Sequence, residues 1–146
     1  MANCQVCYFD SIGLPSAEQM RVEYGREGEW QRRTTLQWVE RIKPILDTGV
    51  SVLFEGQMRI AFITEALASS QIDKARIILV DCDDETREAR LRLERVQPEL
   101  ANERMRNWAR YLRDEARAAG IEILDSTRVP VAECADLIIR YLDGGS

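Results

Sequence analysis

Two rhythms of apolar and polar residues alternate along this chain. Short apolar runs rich in β-branched residues give way to longer stretches in which apolar side chains return every three or four positions. The first rhythm predicts strands at residues 4–9, 50–54, 75–80 and 121–124. The second predicts helices. One begins near Ala17, where Ser16 and Gln19 have capping-box spacing, and stops around Gly25. The next covers 29–46, with Trp30, Leu36, Val39, Ile42, Ile45 and Leu46 on its apolar stripe. A third covers 59–69, with Ile60, Ile63, Ala66 and Leu67 inward. A short one follows at 85–93, and Gln97-Pro98-Glu99-Leu100 breaks the pattern. A long one covers 102–119, with Met105, Trp108, Ala109, Leu112 and Ala116 on one face and Gly120 beyond its end. The last covers 131–142, with Pro130 near its first turn.

Strand and helix alternate throughout, which implies a parallel sheet covered by helices. No repeat, low-complexity segment or linker interrupts residues 1–146, so a single domain is expected. The stretch from Val50 to Arg59 anchors the reading. Its apolar run ends in Glu55, Gly56 and, one turn later, Arg59. The carboxyl ends of parallel strands are where such sheets bind ligands, and Gly56 permits a turn and a close approach there. Glu55 and Arg59 read equally well as a polar strand exit and its partner. All four strands end in acids or hydroxyls, which places Asp10, Glu55, Asp81 and Asp125 along one edge.

Composition narrows the function classes. Hydrophobic residues make up 45% and charged residues 31%, the balance of a globular domain rather than a disordered chain. A formal net charge of -5 argues against a general nucleic-acid-binding surface. With no histidine, Ser-His-Asp triads and His-containing zinc sites are excluded. Cys4 and Cys7 form a C-x-x-C, but they fall on a predicted strand, where their odd separation points them to opposite faces. With Cys82 and Cys134 they read as free thiols in a reducing, cytoplasmic setting rather than a redox or zinc pair. Neither a signal peptide nor a membrane-spanning run is visible, and no membrane partner is expected.

Three groups of motifs carry a resemblance. Phe9-Asp10-Ser11-Ile12-Gly13-Leu14-Pro15-Ser16, followed by Glu18 and Met20, resembles the segment after the first helix in small P-loop kinase-like ATPases. Leu53-Phe54-Glu55-Gly56-Gln57-Met58-Arg59 resembles their Walker-B-like strand. Val80-Asp81-Cys82-Asp83, Gln97-Pro98-Glu99-Leu100 and Asn107-Trp108-Ala109 with Tyr111-Leu112 are similar to their lid and the helix after it. The likeness covers nearly the whole chain and falls in the nucleoside-monophosphate and shikimate kinase-like branch.

The resemblance implies a three-layer α/β/α fold with a mostly parallel sheet, P-loop NTPase-like, and a lid-like segment at about 85–104. It implies ATP and Mg2+ as cofactors and a nucleotide or phosphorylated small molecule as partner. Asp10 and Glu55 are then the catalytic pair, with Glu55 holding magnesium through water. Asp10, Gly56 and Arg59 bind the phosphoryl acceptor. Arg87, Arg90 and Arg95, from a group that also holds Arg92, close over the triphosphate, while Asp125, Ser126 and Thr127 border the adenine. Other readings stay open: a turn aspartate at Asp10, and a solvated arginine face balanced by Glu85, Glu88 and Glu94. Trp108 and Tyr111 read as packing residues rather than base-stacking groups.

One departure matters as much as the match. A phosphate cradle needs G-x-x-x-x-G-K-[ST], and none of the eight glycines lies in such a motif. Lys43 and Lys74 are the two lysines, and neither precedes Ser or Thr. The first strand and P-loop helix of the family are therefore absent, in a chain that is either truncated or degenerate. The expected function is ancestral ATP-dependent phosphoryl transfer to a small molecule, weakened or lost here. The alternative is an assembly domain that uses the vacant sheet slot, homo-oligomers included.

Overall fold

The structure, a computed structural model, describes residues 3–12, 18 and 27–143. The helix expected near Ala17, and residues 13–16 before it, lie outside the described residues apart from Glu18. The chain is a mixed α/β protein that divides into two compact units. One is drawn from Met1–Ala75 with Tyr141–Ser146, the other from Arg76–Arg140.

In the first unit, β1 (Cys4–Tyr8) pairs in parallel with β2 (Ser51–Glu55), in a register that sets Cys4 beside Ser51 and Tyr8 beside Glu55. Parallel neighbours need a long crossover, which here includes helix α1 (Glu27–Asp47). β1 ends one residue earlier than its apolar run, because Phe9–Ile12 turns into a 3₁₀ helix. That turn drops Phe9 into a core with Trp30 and Met58, against which Trp38, Phe54 and Ile63 pack. Phe9 meets Trp30 edge-on at 5.8 Å, and Trp38 meets Phe54 at 5.5 Å. The Trp38 indole N–H donates to the Phe9 carbonyl at 3.3 Å, tying α1 to the exit of β1.

The stripe on α1 holds at Trp30, Val39 and Ile42, which are buried. It also includes Thr34 and Thr35, polar residues that the apolar pattern passes over. Thr35 is accommodated because its hydroxyl donates to the Gln31 carbonyl one turn back, at 2.7 Å. Pro44 sits near the end of α1, where its missing N–H breaks one helical bond without ending the helix before Asp47. Helix α2 (Ile60–Ser69) buries Ile60 and Ala66 as its spacing predicts. Among the described residues, β2 pairs only with β1, so its other edge carries no strand.

In the second unit, β3 (Ile78–Asp81) pairs in parallel with β4 (Glu122–Asp125), with Asp81 directly beside Asp125. The crossover holds helix α3 (Asp84–Ala89), a π-helical turn (Arg90–Glu94), a 3₁₀ turn (Pro98–Leu100) and helix α4 (Glu103–Ala119). Helix α5 (Val131–Leu142) follows β4. Asp83 caps α3 by accepting from the Thr86 N–H, and Asn102 caps α4 by accepting from the Met105 N–H. Gly120 ends α4 in the left-handed region at φ 69°, where glycine adds no steric cost. Leu112 and Ala116 are buried along α4, while Met105, Trp108 and Ala109 are half-buried.

The lid-like segment carries two irregularities that the helical pattern does not predict. The π turn closes with the Arg95 N–H on the Arg90 carbonyl at 2.9 Å. Val96 then adopts φ 49°, a left-handed conformation unusual for a β-branched residue, with Leu93 and Val96 both projecting into solvent. β3 starts three residues later than its apolar run, at Ile78, where it finds its partner Glu122 on β4. Its other edge is unpaired among the described residues, and Val80 is half exposed.

Candidate functional site

The first unit presents Arg59 at a cleft. Arg59 immediately precedes α2 and holds extended backbone geometry there. Gln31, on α1, fixes it twice: its side-chain oxygen accepts from the Arg59 backbone N–H at 3.1 Å and from Nη1 at 3.2 Å. The guanidinium lies 5.4 Å from the centre of the Phe62 ring, within cation–π range. With Gly28, Glu29 and Arg32, these two side chains line a cleft of about 320 Å³.

Ion pairs arrange the cleft's wall. Arg32 makes two bonds from Nε to the Glu65 carboxylate, at 3.1 and 2.9 Å, and a further close one from Nη2. Its Nη1 reaches Glu29 Oε1 at 3.1 Å, and Arg33 reaches the same oxygen at 3.1 Å. The hydrogen bond from Arg33, with Arg32 beside it, holds the Glu29 carboxyl below the usual carboxylate range. The bonds from Arg32 do the same for Glu65, and Glu65 in turn raises Arg32. These groups are partly in water, so the pairs orient side chains more than they stabilise the unit.

The other acceptor-side residues do not line this cleft. Asp10 sits exposed in the 3₁₀ turn after β1. Glu55 ends β2, also exposed, beside Tyr8 in the register. Gly56 follows it, and its glycine has a packing reason. A Cβ placed there would run into Phe9 Cβ, with Phe9 Cγ and the Met58 methyl both at 3.3 Å. The close approach at Gly56 is thus made by the core aromatic of the neighbouring strand's exit.

The second unit gathers most of the residues expected around the nucleotide. Arg90 donates to Ser126 Oγ at 2.9 Å and to the Ser126 carbonyl at 3.0 Å. Ser126, which is buried, donates from its hydroxyl and its backbone N–H to the Asp81 carbonyl, linking the ends of β3 and β4. Thr127 Oγ1 accepts from the Asp83 N–H at 2.8 Å, and Asp125 accepts from the Thr127 N–H at 3.0 Å. Arg87 bonds Asp84 at 2.8 Å and the Cys82 carbonyl at 3.2 Å. Arg95 stands apart, its side chain exposed beyond the π turn. Arg87 and Arg90 are therefore brought to the carboxyl ends of the strands, and both are engaged with protein acceptors there.

The sequence pattern missed several members of these networks. Arg113, on α4, clamps Asp81 through Nε at 2.6 Å and Nη2 at 3.3 Å. That hydrogen bond raises Arg113 above its ordinary value. Asp81 and Arg113 lie 32 positions apart, so no local spacing announces the pair. Gln31 and Glu65 are missed for the same reason. Glu29 with Arg32 and Arg33 has i,i+3 and i,i+4 spacing and was legible in principle. Trp108 and Tyr111 stack on each other along α4, 5.7 Å apart and nearly parallel.

All four cysteines are free. Cys7 and Cys134 are buried, while Cys4 and Cys82 are partly so. Among the described residues, no group of three or more cysteines or acids is placed to hold a metal, and no helix is long and apolar enough to cross a membrane. No protein-family model, curated protein or solved structure matches the chain.

Proposed function

We propose that this chain is a P-loop kinase-like protein, built for ATP-dependent phosphoryl transfer to a small molecule and weak or silent in that reaction by itself. The observation that carries the reading is the strand arrangement. Two parallel pairs each end in acids: Glu55 beside the exit that leads to Asp10, and Asp81 beside Asp125. Carboxyl ends of parallel strands are where this class of fold holds its ligands. The gathering of Arg87, Arg90, Ser126 and Thr127 at the end of β3 and β4 supports a nucleotide-facing role for that edge.

The fit to the cofactors is partial. Glu55 is an exposed carboxylate that suits outer-sphere contact with a hydrated Mg2+, an ion that keeps several of its waters. The triphosphate fares worse. No Gly-rich cradle exists in the sequence, and the two arginines at the strand ends already satisfy protein carbonyls and hydroxyls. Phosphoryl transfer is mostly positioning and charge neutralisation, so no transfer step is assigned to these residues.

Titration of the purified chain with Mg-ATP tests the reading. Binding is expected with a dissociation constant of about 1 mM, roughly 4 kcal/mol, and turnover near background. Complete absence of binding at that concentration, with Arg90→Ala indistinguishable from wild type, would sink it.

A second reading rests on the unpaired edges. Val52-Leu53-Phe54 and Ile78-Leu79-Val80 are apolar on both faces, the composition of strands flanked on both sides, yet each has one edge without a partner among the described residues. Such edges accept added strands. A concentration-dependent dimer that ignores Mg-ATP would favour an assembly role.

A further inference from the structure

We propose that the open edge of β3 pairs with β3 of a second copy of this chain, antiparallel and centred on Leu79. The proposal rests on the assembly reading above and narrows it to one edge, one partner and one orientation.

The edge comes first. β3 pairs with β4 on one side, and on the other Ile78, Leu79 and Val80 make no hydrogen bond among the described residues. Ile77-Ile78-Leu79-Val80 sets four branched apolar side chains in a row. Val80 is 51% exposed, although Leu124 beside it in the ladder is buried. Strand edges that stay free in solution are blunted by lysines, prolines or other charges, and this run carries none of them.

Charge then selects the partner. A two-fold contact uses every residue twice, so the edge must complement itself. Lys74 and Arg76 precede the apolar run, and Asp81, Asp83 and Asp84 follow it. Antiparallel pairing sets the basic start of one strand against the acidic end of the other, whereas parallel pairing sets acids against acids. Arg76, Asp81 and Asp84 have partners in their own chain, namely Glu122, Arg113 and Arg87. Lys74 and Asp83, both exposed, therefore carry most of the complementarity. Asp73 lies farther out, beyond the paired stretch. The β2 edge lacks this pattern, because Asp47-Thr48-Gly49-Val50 brings no cation to meet Glu55.

Symmetry fixes the register. An antiparallel pair about a two-fold axis must set one residue against its own copy. With Leu79 in that place, Ile78 faces Val80 of the second copy and the exposed part of Val80 is covered. Lys74 then reaches the level of Asp83 and Asp84. The ladder is short, so a weak dimer is expected, with a dissociation constant of about 100 μM.

Sedimentation equilibrium of the full chain up to about 1 mM tests the proposal, because most of it is dimeric there at the expected affinity. Val80→Lys puts a charge at a half-exposed edge position, which the monomer accommodates, and is expected to weaken the dimer at least about tenfold. Lys74→Glu changes an exposed side chain outside the strand and is expected to weaken it about fivefold. Added salt should loosen the wild-type dimer and leave Lys74→Glu less affected. Circular dichroism checks that both variants keep their helices. Isotope-filtered nuclear Overhauser spectra of mixed labelled and unlabelled chains read the orientation, with Ile78 of one copy expected near Val80 of the other.

A monomer throughout that range would sink both this proposal and the assembly reading. A dimer that neither Val80→Lys nor Lys74→Glu weakens would overturn this proposal alone and leave assembly to another surface. Contacts of Ile78 with Ile78 and of Val80 with Val80 would overturn the antiparallel orientation.

Discussion

Replacing Gly56 by alanine separates two explanations of a glycine at the end of β2. The added methyl would meet Phe9 Cβ, an atom one bond from the backbone that no rotamer change can move aside. Either the 3₁₀ turn that carries Phe9 or the chain leaving β2 must shift, and both feed the aromatic cluster of Phe9, Trp30 and Phe54. Overpacking of this kind costs about 1–3 kcal/mol. Loss of glycine's freedom in the unfolded chain offsets about 0.4–1 kcal/mol. The net expectation is destabilisation by about 1–2 kcal/mol.

Urea unfolding followed by tryptophan emission measures it. A Trp108→Phe background leaves Trp30 and Trp38 as the reporters, and both lie in or against that cluster. Gly28→Ala is the control. It sits in α1 with only ordinary contact at 3.5 Å and is expected to stabilise by about 0.5–1 kcal/mol. If Gly56→Ala leaves stability within about 0.5 kcal/mol of wild type, the ordinary scatter of surface changes, the packing account is wrong. A glycine kept for ligand approach would give that result, with weakened ligand binding in its place.

Three further expectations follow from the networks. Arg113→Met leaves the Asp81 carboxylate, whose side chain is 14% exposed, without its clamp. A loss of about 2 kcal/mol is expected, below the range for fully buried pairs because Arg113 is partly exposed. Urea unfolding of Asp81→Leu with Arg113→Met should recover most of it, and failure to recover would show that the pair is not the cause. Acid should weaken the fold. Glu29, Glu65 and Asp83 have folded pKa values held down by hydrogen bonds from Arg33, Arg32 and Thr86 respectively. The unfolded chain binds more protons, so this stability is present above the ordinary carboxylate pKa of about 4 and is lost as pH falls through the folded values. Urea midpoints that stay flat from neutral pH into that acid range would refute the assignment. Asn102→Ala removes the side-chain acceptor for the Met105 N–H and is expected to lower stability by about 1 kcal/mol, read from the thermal midpoint.

The candidate sites were legible to different depths. Arg59 could be placed one turn beyond a strand end because strand and helix periods differ so clearly there. Its cleft could not, since Gln31, Arg32 and Glu65 reach it from positions that no local spacing connects to Arg59. Arg87 and Arg90 were singled out for a lid and Ser126 and Thr127 for a separate loop, but the sequence could not tell that Arg90 would bond Ser126, or that the donors of both arginines would be taken by protein oxygens. Gly56 was legible as a close approach, whereas the approaching group, Phe9, was not.

What the amino-acid order determined by itself is the local layer. Side-chain period set the strands and helices, Asn102 and Gly120 fixed the limits of α4, and strand-end acids fell on residues that the register then set side by side. These outcomes depend on residues within a few positions of one another. Tertiary structure alone decided the rest. β3 starts at Ile78 rather than Ala75 because ladder bonds need the neighbour that β4 provides. Thr34 and Thr35 lie on the buried face of α1 because burial follows what the helix packs against, and the Thr35 hydroxyl is satisfied there by bonding back to its own helix. Asp81 has Arg113, and Arg32 has Glu65, because folding brings together groups that are 32 and 33 positions apart. Which charges are spent on the fold and which face a ligand is a long-range property, and spacing along the chain carries no record of it.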